Sequence, residues 1–187
     1  MGENSMPSRL SFVCHGRTAA QRQGCFAQAD EPLEPGQDER LAERRAGLKA
    51  PRRVLCAPEL RARQTAAAWG AEPQLVEALR DCDYGAWRGQ SLEALQATAA
   101  QDLAAWLTDP AAAPHGGESQ VQLCERVGAW LDAFDEDGHF IVVSHPAVLR
   151  AAALHVLRAD AAAFNAIDVE PLGVLRLVRN GRWRLRL

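Results

Sequence analysis

The sequence predicts an α/β protein: a three-layer α/β/α sandwich around a mostly parallel central sheet, closed by a C-terminal antiparallel hairpin. Three observations carry this reading. Short apolar runs alternate along the chain with longer stretches of helical periodicity. The run "HFIVVS" at 139–144 is apolar at successive positions, the pattern of a strand covered on both faces. Residues 173–187, "GVLRLVRNGRWRLRL", alternate Leu or Val with Arg around Asn180-Gly181, a hairpin signal with one solvated face.

The elements follow in order. Residues 1–8 read as a disordered leader, because "MGENSMPS" lacks the apolar core of a secretory signal. Gly2 follows Met1, but Met6 stands where a myristoylation signal needs Ser or Thr. Residues 9–187 then form a single domain, long enough to bury its own core. Strands are expected at 9–14, 52–57 and 139–144, and helices at 38–49, 59–69, 91–106, 119–134 and 147–157. Ser119, after Gly116-Gly117, is a natural N-cap for the fourth helix, and capping is the expected main task of both Glu118 and Ser119.

Composition narrows the function classes. The 187 residues are 48% hydrophobic and 24% charged, with a formal charge of -3, which argues against nucleic acid as a partner. No apolar run is long enough to span a bilayer. The five cysteines are odd in number and contain no Cys-x-x-Cys pair, the usage expected of thiols in a reducing cytoplasm. Cys14, His15, His145 and Asp81 offer ligand types suited to zinc, but no ligand spacing supports a metal, and no cofactor is expected.

In open α/β sheets, ligands sit at the carboxyl ends of the strands. Two strands here end alike, in Cys14-His15-Gly16 and in Ser144-His145-Pro146. A third, "VLCAP", leads into the helix opening "ELRARQTA" and its arginines. Two histidines in matching positions point to a shared site.

These residues also carry a resemblance to the histidine phosphatase superfamily (phosphoglycerate mutase-like). Cys14-His15-Gly16 stands where that family has Arg-His-Gly. "DEPLEPG" (30–36) resembles its Asp-x-Pro-Leu-x-x-Gly turn, and "APELRARQTA" (57–66) its Ser-Pro-Leu-x-Arg-Ala-x-Gln-Thr-Ala, which places the family arginine at Arg61. "LRDCDYGAWRG" (79–89) puts Asp81 at the acid position, and "HGGES" (115–119), Arg126 and "VVSHPAVLRAA" (142–152) complete the order. The matches span residues 9–152 and resemble the compact phosphatase branch.

The resemblance implies a metal-independent phosphatase acting on a small phosphomonoester through a phosphohistidine. His15 is then the nucleophile, Asp81 the general acid, and Arg61 and His145 the groups that hold the transferring phosphoryl. Gly16 would let the backbone approach the phosphate, and Asp81 would need a raised pKa to give a proton at neutral pH. Tyr84 and Trp87 are expected to pack the Asp81 loop, and Arg63 to be solvated. Residues 90–114 are expected to form a helical lid, and their lack of any Lys or Arg argues against a bisphosphate-retaining mutase.

Three departures bear on activity. Cys14 replaces the arginine that clamps phosphate in the family, where a charge-assisted bond is worth about 1.5–3 kcal/mol. Pro146 replaces a glycine and removes a backbone N–H, although proline suits a first helical turn. Asp81 is one methylene shorter than the family glutamate. Arg17 is a candidate stand-in for the missing guanidinium at the phosphate position beside Cys14. The alternative function is therefore an impaired relative that binds an anionic ligand or partner.

Overall fold

The computed structural model describes residues 7–70 and 72–187. Most of the expected leader (1–8) lies outside the described residues, but Ser8 already belongs to the first strand. Among the described residues six strands form one sheet: β1 (Ser8–Cys14), β2 (Arg53–Cys56), β3 (Gln74–Leu75), β4 (Gly138–Ser144), β5 (Val174–Asn180) and β6 (Arg182–Arg186). Their order across the sheet is β3-β2-β4-β1-β5-β6. The first four run parallel, while β5 pairs antiparallel with both β1 and β6. Helices on both sides complete the three-layer arrangement.

The strand chemistry explains this order. Phe140, Ile141, Val142 and Val143 of β4 have no exposed surface, so both faces of the central strand are covered. β5 and β6 form the edge and show the opposite pattern: Arg182, Arg184 and Arg186 are exposed, and Trp183 and Leu185 turn inward. Gly181 takes the positive φ that the tight turn requires. β3 was not legible in the sequence, since its two residues are both exposed.

Among the described residues seven α-helices connect and flank the strands: α1 (Ala19–Arg22), α2 (Asp38–Ala46), α3 (Leu60–Ala66), α4 (Leu92–Thr98), α5 (Ala100–Thr108), α6 (Gln120–Ala133) and α7 (Pro146–Leu157). α6 opens with a reciprocal capping box, in which the Gln122 N–H donates to Ser119 Oγ and the Ser119 N–H donates to Gln122 Oε1. Pro146 occupies the first turn of α7, where a missing N–H costs nothing to the helix.

The single helix expected at 91–106 is instead two, broken at Ala99, which leaves the helical region at φ -144 and ψ 43. Neither Gly nor Pro causes the break. The bend turns Leu95, Leu103 and Trp106 onto one small core with Phe26 and Trp87, which a straight rod would meet along a narrower stripe.

Candidate active site

Sheet order assembles the site. β2, β4 and β1 are neighbours, so Ala57-Pro58-Glu59, His145 and His15 leave the same edge side by side. The rings of His15 and His145 meet edge to face at 5.2 Å. Arg61 comes from the first turn of α3, and Asp81 from the loop that follows β3. His15, Arg61 and His145 are 2%, 1% and 0% exposed, so the cleft is narrow and its polar groups meet one another rather than water.

His15 is held in one tautomer. Its Nδ1 lies 2.7 Å from the Gly16 carbonyl oxygen. A carbonyl only accepts, so Nδ1 carries the hydrogen and Nε2 is the nitrogen left with a lone pair. Burial, then the charges of His145 and Arg61, push the imidazole down to about 3 from its ordinary 6.5, so the ring is neutral at physiological pH. The His15 N–H donates to the Ser144 carbonyl (2.9 Å), locking the ends of β1 and β4 together.

Gly16 also meets a packing constraint from a neighbouring loop. A Cβ there would sit 2.9 Å from Gln37 Oε1 and 3.2 Å from Leu33 Cδ2, so the close approach is to a neighbouring loop. The Gly16 N–H donates to Thr65 Oγ1 (3.0 Å), whose hydroxyl donates to the Arg61 carbonyl (2.8 Å). The nucleophile loop is thereby tied to the helix that bears the arginine.

Arg61 donates from Nη1 to the Gln28 carbonyl (2.8 Å) and from Nη2 to Asp81 Oδ2 (2.6 Å). Its Nε is buried without a partner, as is Nδ1 of His145, which lies 3.5 Å from Asp81 Oδ2. A buried polar atom without a partner costs about 1–3 kcal/mol, and an oxyanion between these two nitrogens would satisfy both.

Asp81 departs from expectation. Burial alone would raise its carboxyl, but the charges of His145 and Arg61 and the Cys82 N–H outweigh it and hold the group below the usual range. It is a carboxylate paired with Arg61. Its loop is built by residues far along the chain. Arg126 forks onto both oxygens of Glu118 (2.8 and 2.7 Å) and donates to the carbonyls of Ala78, Arg80 and Asp81. Glu118 therefore anchors Arg126 instead of capping α6, a task that Ser119 performs with Gln122. Gly117 is obligatory beside it, because a Cβ would lie 2.0 Å from the Asp83 carbonyl oxygen.

The departures from the motif are also placed. Cys14 is fully buried in the main core, and burial pushes its thiol up to about 12. The basic charges that act most on it belong to Arg150 and Arg61. Arg17 is exposed, and its backbone is held by Gln37 on both sides, N–H to Oε1 (2.6 Å) and carbonyl from Nε2 (2.8 Å). Arg63 is exposed. Tyr84 and Trp87 pack on Phe26, at 4.7 and 5.5 Å between ring centroids.

Glu59 was missed by sequence reading. Its Oε2 accepts from His145 Nε2 (2.8 Å) and its Oε1 from the Asp81 N–H (3.0 Å). The available signal was a charged residue where the resembling motif has leucine. Among the described residues no group of three or more His, Cys, Asp or Glu is arranged to hold a metal, and no helix is long and apolar enough to cross a membrane.

Comparison with known proteins agrees with this geometry. The family model described as the histidine phosphatase superfamily (branch 1) matches residues 10–187. The chain is 32% identical to the adenosylcobalamin/alpha-ribazole phosphatase of Salmonella typhimurium, covering 94% of this chain and 98% of that protein. It is 28% identical to the glucosyl-3-phosphoglycerate phosphatase of Mycobacterium tuberculosis, over 85% of this chain and 79% of that one. In fold it is similar to the alpha-ribazole phosphatase of Shigella flexneri, with a TM-score of 0.84, 22% identity and 96% and 95% of the two chains covered. Two histidines at adjacent strand ends, an arginine on the next helix and a match along the sheet and its helices lead to one conclusion: this chain belongs to branch 1 of the histidine phosphatase superfamily.

Proposed function

We propose that the protein is a metal-independent phosphatase of small phosphomonoesters. The observation that carries this reading is His15: neutral, with Nδ1 tied to a carbonyl and Nε2 left with its lone pair. The Nε2 lone pair attacks phosphorus as the bond to the leaving oxygen breaks, and Asp81 gives that oxygen its proton. Asp81 acquires the proton from the substrate: a monoanionic phosphate beside the carboxylate raises its pKa by like-charge repulsion, and the shared proton passes to it. In the second step Asp81 takes a proton from water. The resulting hydroxide attacks the phosphohistidine, and the N–P bond pair returns to Nε2. Arg61 Nε and His145 Nδ1 face the developing charge.

Substrate class follows the relatives, which by name act on alpha-ribazole phosphate, glucosyl-3-phosphoglycerate and, in the Entamoeba histolytica structure with a TM-score of 0.82 and 21% identity, phosphoserine. α4 and α5 serve as the lid. Their core includes Phe26, two residues from the Gln28 carbonyl that holds Arg61. Five free cysteines suit a cytoplasmic protein.

A second reading is anion binding without turnover. It is favoured by Cys14, a neutral thiol where a guanidinium is expected, and by the pairing of Arg61 with Asp81 in the closed cleft. Assay of a phosphomonoester panel with wild type and His15→Ala separates the two. Phosphatase activity lost in His15→Ala, with phosphohistidine trapped in the wild type, supports the enzyme. Phosphate or vanadate binding without turnover supports the second reading.

A further inference from the structure

Glu59 stands at the N-cap of α3 with extended backbone, yet its side chain makes no bond to that helix. A carboxylate at a helix N-terminus has favourable N–H partners and a favourable dipole there. Here both oxygens are spent elsewhere. Oε1 accepts from the Asp81 N–H at 3.0 Å and Oε2 from His145 Nε2 at 2.8 Å, with only 12% of the side chain exposed. One carboxylate thus joins three chain segments: the start of α3, the loop carrying Asp81 and the junction of β4 with α7.

The chemistry of that bond has a consequence. A carboxylate only accepts, so His145 carries hydrogen on Nε2; Nδ1, 3.5 Å from the acceptor Asp81 Oδ2, meets an oxyanion favourably when it carries a hydrogen as well. The same His145 contact and the Asp81 N–H hold the Glu59 carboxyl below its usual range. A carboxylate is costly beside an anion site, because it repels the ligand. Its two short bonds to groups of that site give it a use that offsets this cost.

We propose that Glu59 is a positioning residue, its carboxylate holding the Nε2–H of His145 and the backbone of Asp81 so that the His145 Nδ1–H and the Asp81 carboxylate face the phosphoryl group together. The proposal deepens the phosphatase reading and rests on it for its kinetic part alone.

The decisive measurement needs no activity. Long-range proton–nitrogen spectra of histidine-labelled protein are recorded for wild type, Glu59→Gln and Glu59→Leu. In wild type the His145 ring shows a protonated, slowly exchanging Nε2. In Glu59→Leu that protection is lost and the Asp81 amide exchanges faster, while Glu59→Gln, whose amide oxygen still accepts, keeps most of it. An unchanged His145 spectrum in the folded Leu variant overturns the proposal. If that variant does not fold, Glu59→Ala is measured in its place, and Nε2 protection kept there overturns the proposal instead. With a turned-over substrate, Glu59→Leu lowers kcat by about 10²-fold with KM little changed, and Glu59→Gln recovers most of the loss. A kcat unchanged in Glu59→Leu also overturns it. Absence of turnover in wild type defeats the phosphatase reading, while the spectra still decide Glu59.

Discussion

Arg61 Nη2 lies 2.6 Å from Asp81 Oδ2, with the two side chains 2% and 17% exposed. The cation that should meet phosphate and the acid that should protonate the leaving group are therefore paired with each other. Substrate must part them or share them. That exchange sets the first prediction.

Because Asp81 is held ionised in the free protein, the proton for the leaving oxygen enters with the substrate. A phosphomonoester loses its second proton with a pKa of about 6. kcat/KM is expected to fall as pH rises through about 6, by close to tenfold per unit above it. A pH–rate profile on a substrate with a poor, alkyl alcohol leaving group, which needs protonation to depart, checks this. A profile flat from about pH 5 to 8 would show that Asp81 obtains its proton elsewhere.

His15 makes folding sensitive to acid. Its folded pKa, about 3, lies below its ordinary 6.5, so the unfolded chain takes up a proton first. Stability is fully present above 6.5 and declines as pH falls towards 3, with a slope approaching 1.4 kcal/mol per unit. His115 and His139, also pushed down chiefly by burial, act with the same sign, and so at lower pH do Asp81 and Glu59. Urea midpoints across this window are expected to fall less steeply in His15→Ala than in wild type. Parallel curves would refute the neutral buried ring.

Restoring the family arginine at position 14 meets a packed core. Cys14 has no exposed surface and lies in the main core, and the backbone amide of Leu172, a residue with φ at 63, acts on its thiol and donates to the His15 carbonyl at 3.3 Å. Cys14→Arg alone is expected to lower thermal stability by about 1–3 kcal/mol of overpacking without raising turnover. Combined with Leu172→Gly, which suits the left-handed backbone and lets the segment beside the thiol yield, it is expected to raise kcat by up to about 10². Turnover raised equally by the single and double variants would show that the arginine volume was open all along.

Glu118 and Arg126 are a part-buried ion pair whose second task is to hold the carbonyls of the Asp81 loop. Arg126→Met is expected to cost about 3 kcal/mol, since it leaves a carboxylate that is 10% exposed with only the longer Arg80 contact at 3.7 Å. The double variant with Glu118→Leu is expected to be more stable than the sum of the two single losses allows. Chemical denaturation of the four proteins measures the coupling, and additive losses would mean the pair acts only through separate contacts.

Much of this protein is legible in its sequence. The continuous apolar run of β4, the alternating Arg and Leu of β5 and β6, and the Asn180-Gly181 turn each state a local rule of burial or turn chemistry that the fold obeys. His15 and His145 at matching strand ends, and Ser119 as a cap, are local in the same sense. What neighbours decide was not legible. Glu59 acts only because sheet order brings His145 beside it from 86 residues away. The break at Ala99 answers to where Phe26 and Trp87 pack, not to its own propensity. Asp81 shows the reason most plainly. Its ionisation is a small difference between burial, which raises its pKa, and the charges of His145 and Arg61, which lower it. Those terms depend on distances that only the folded chain sets, and so the sequence could name the acid but not its charge.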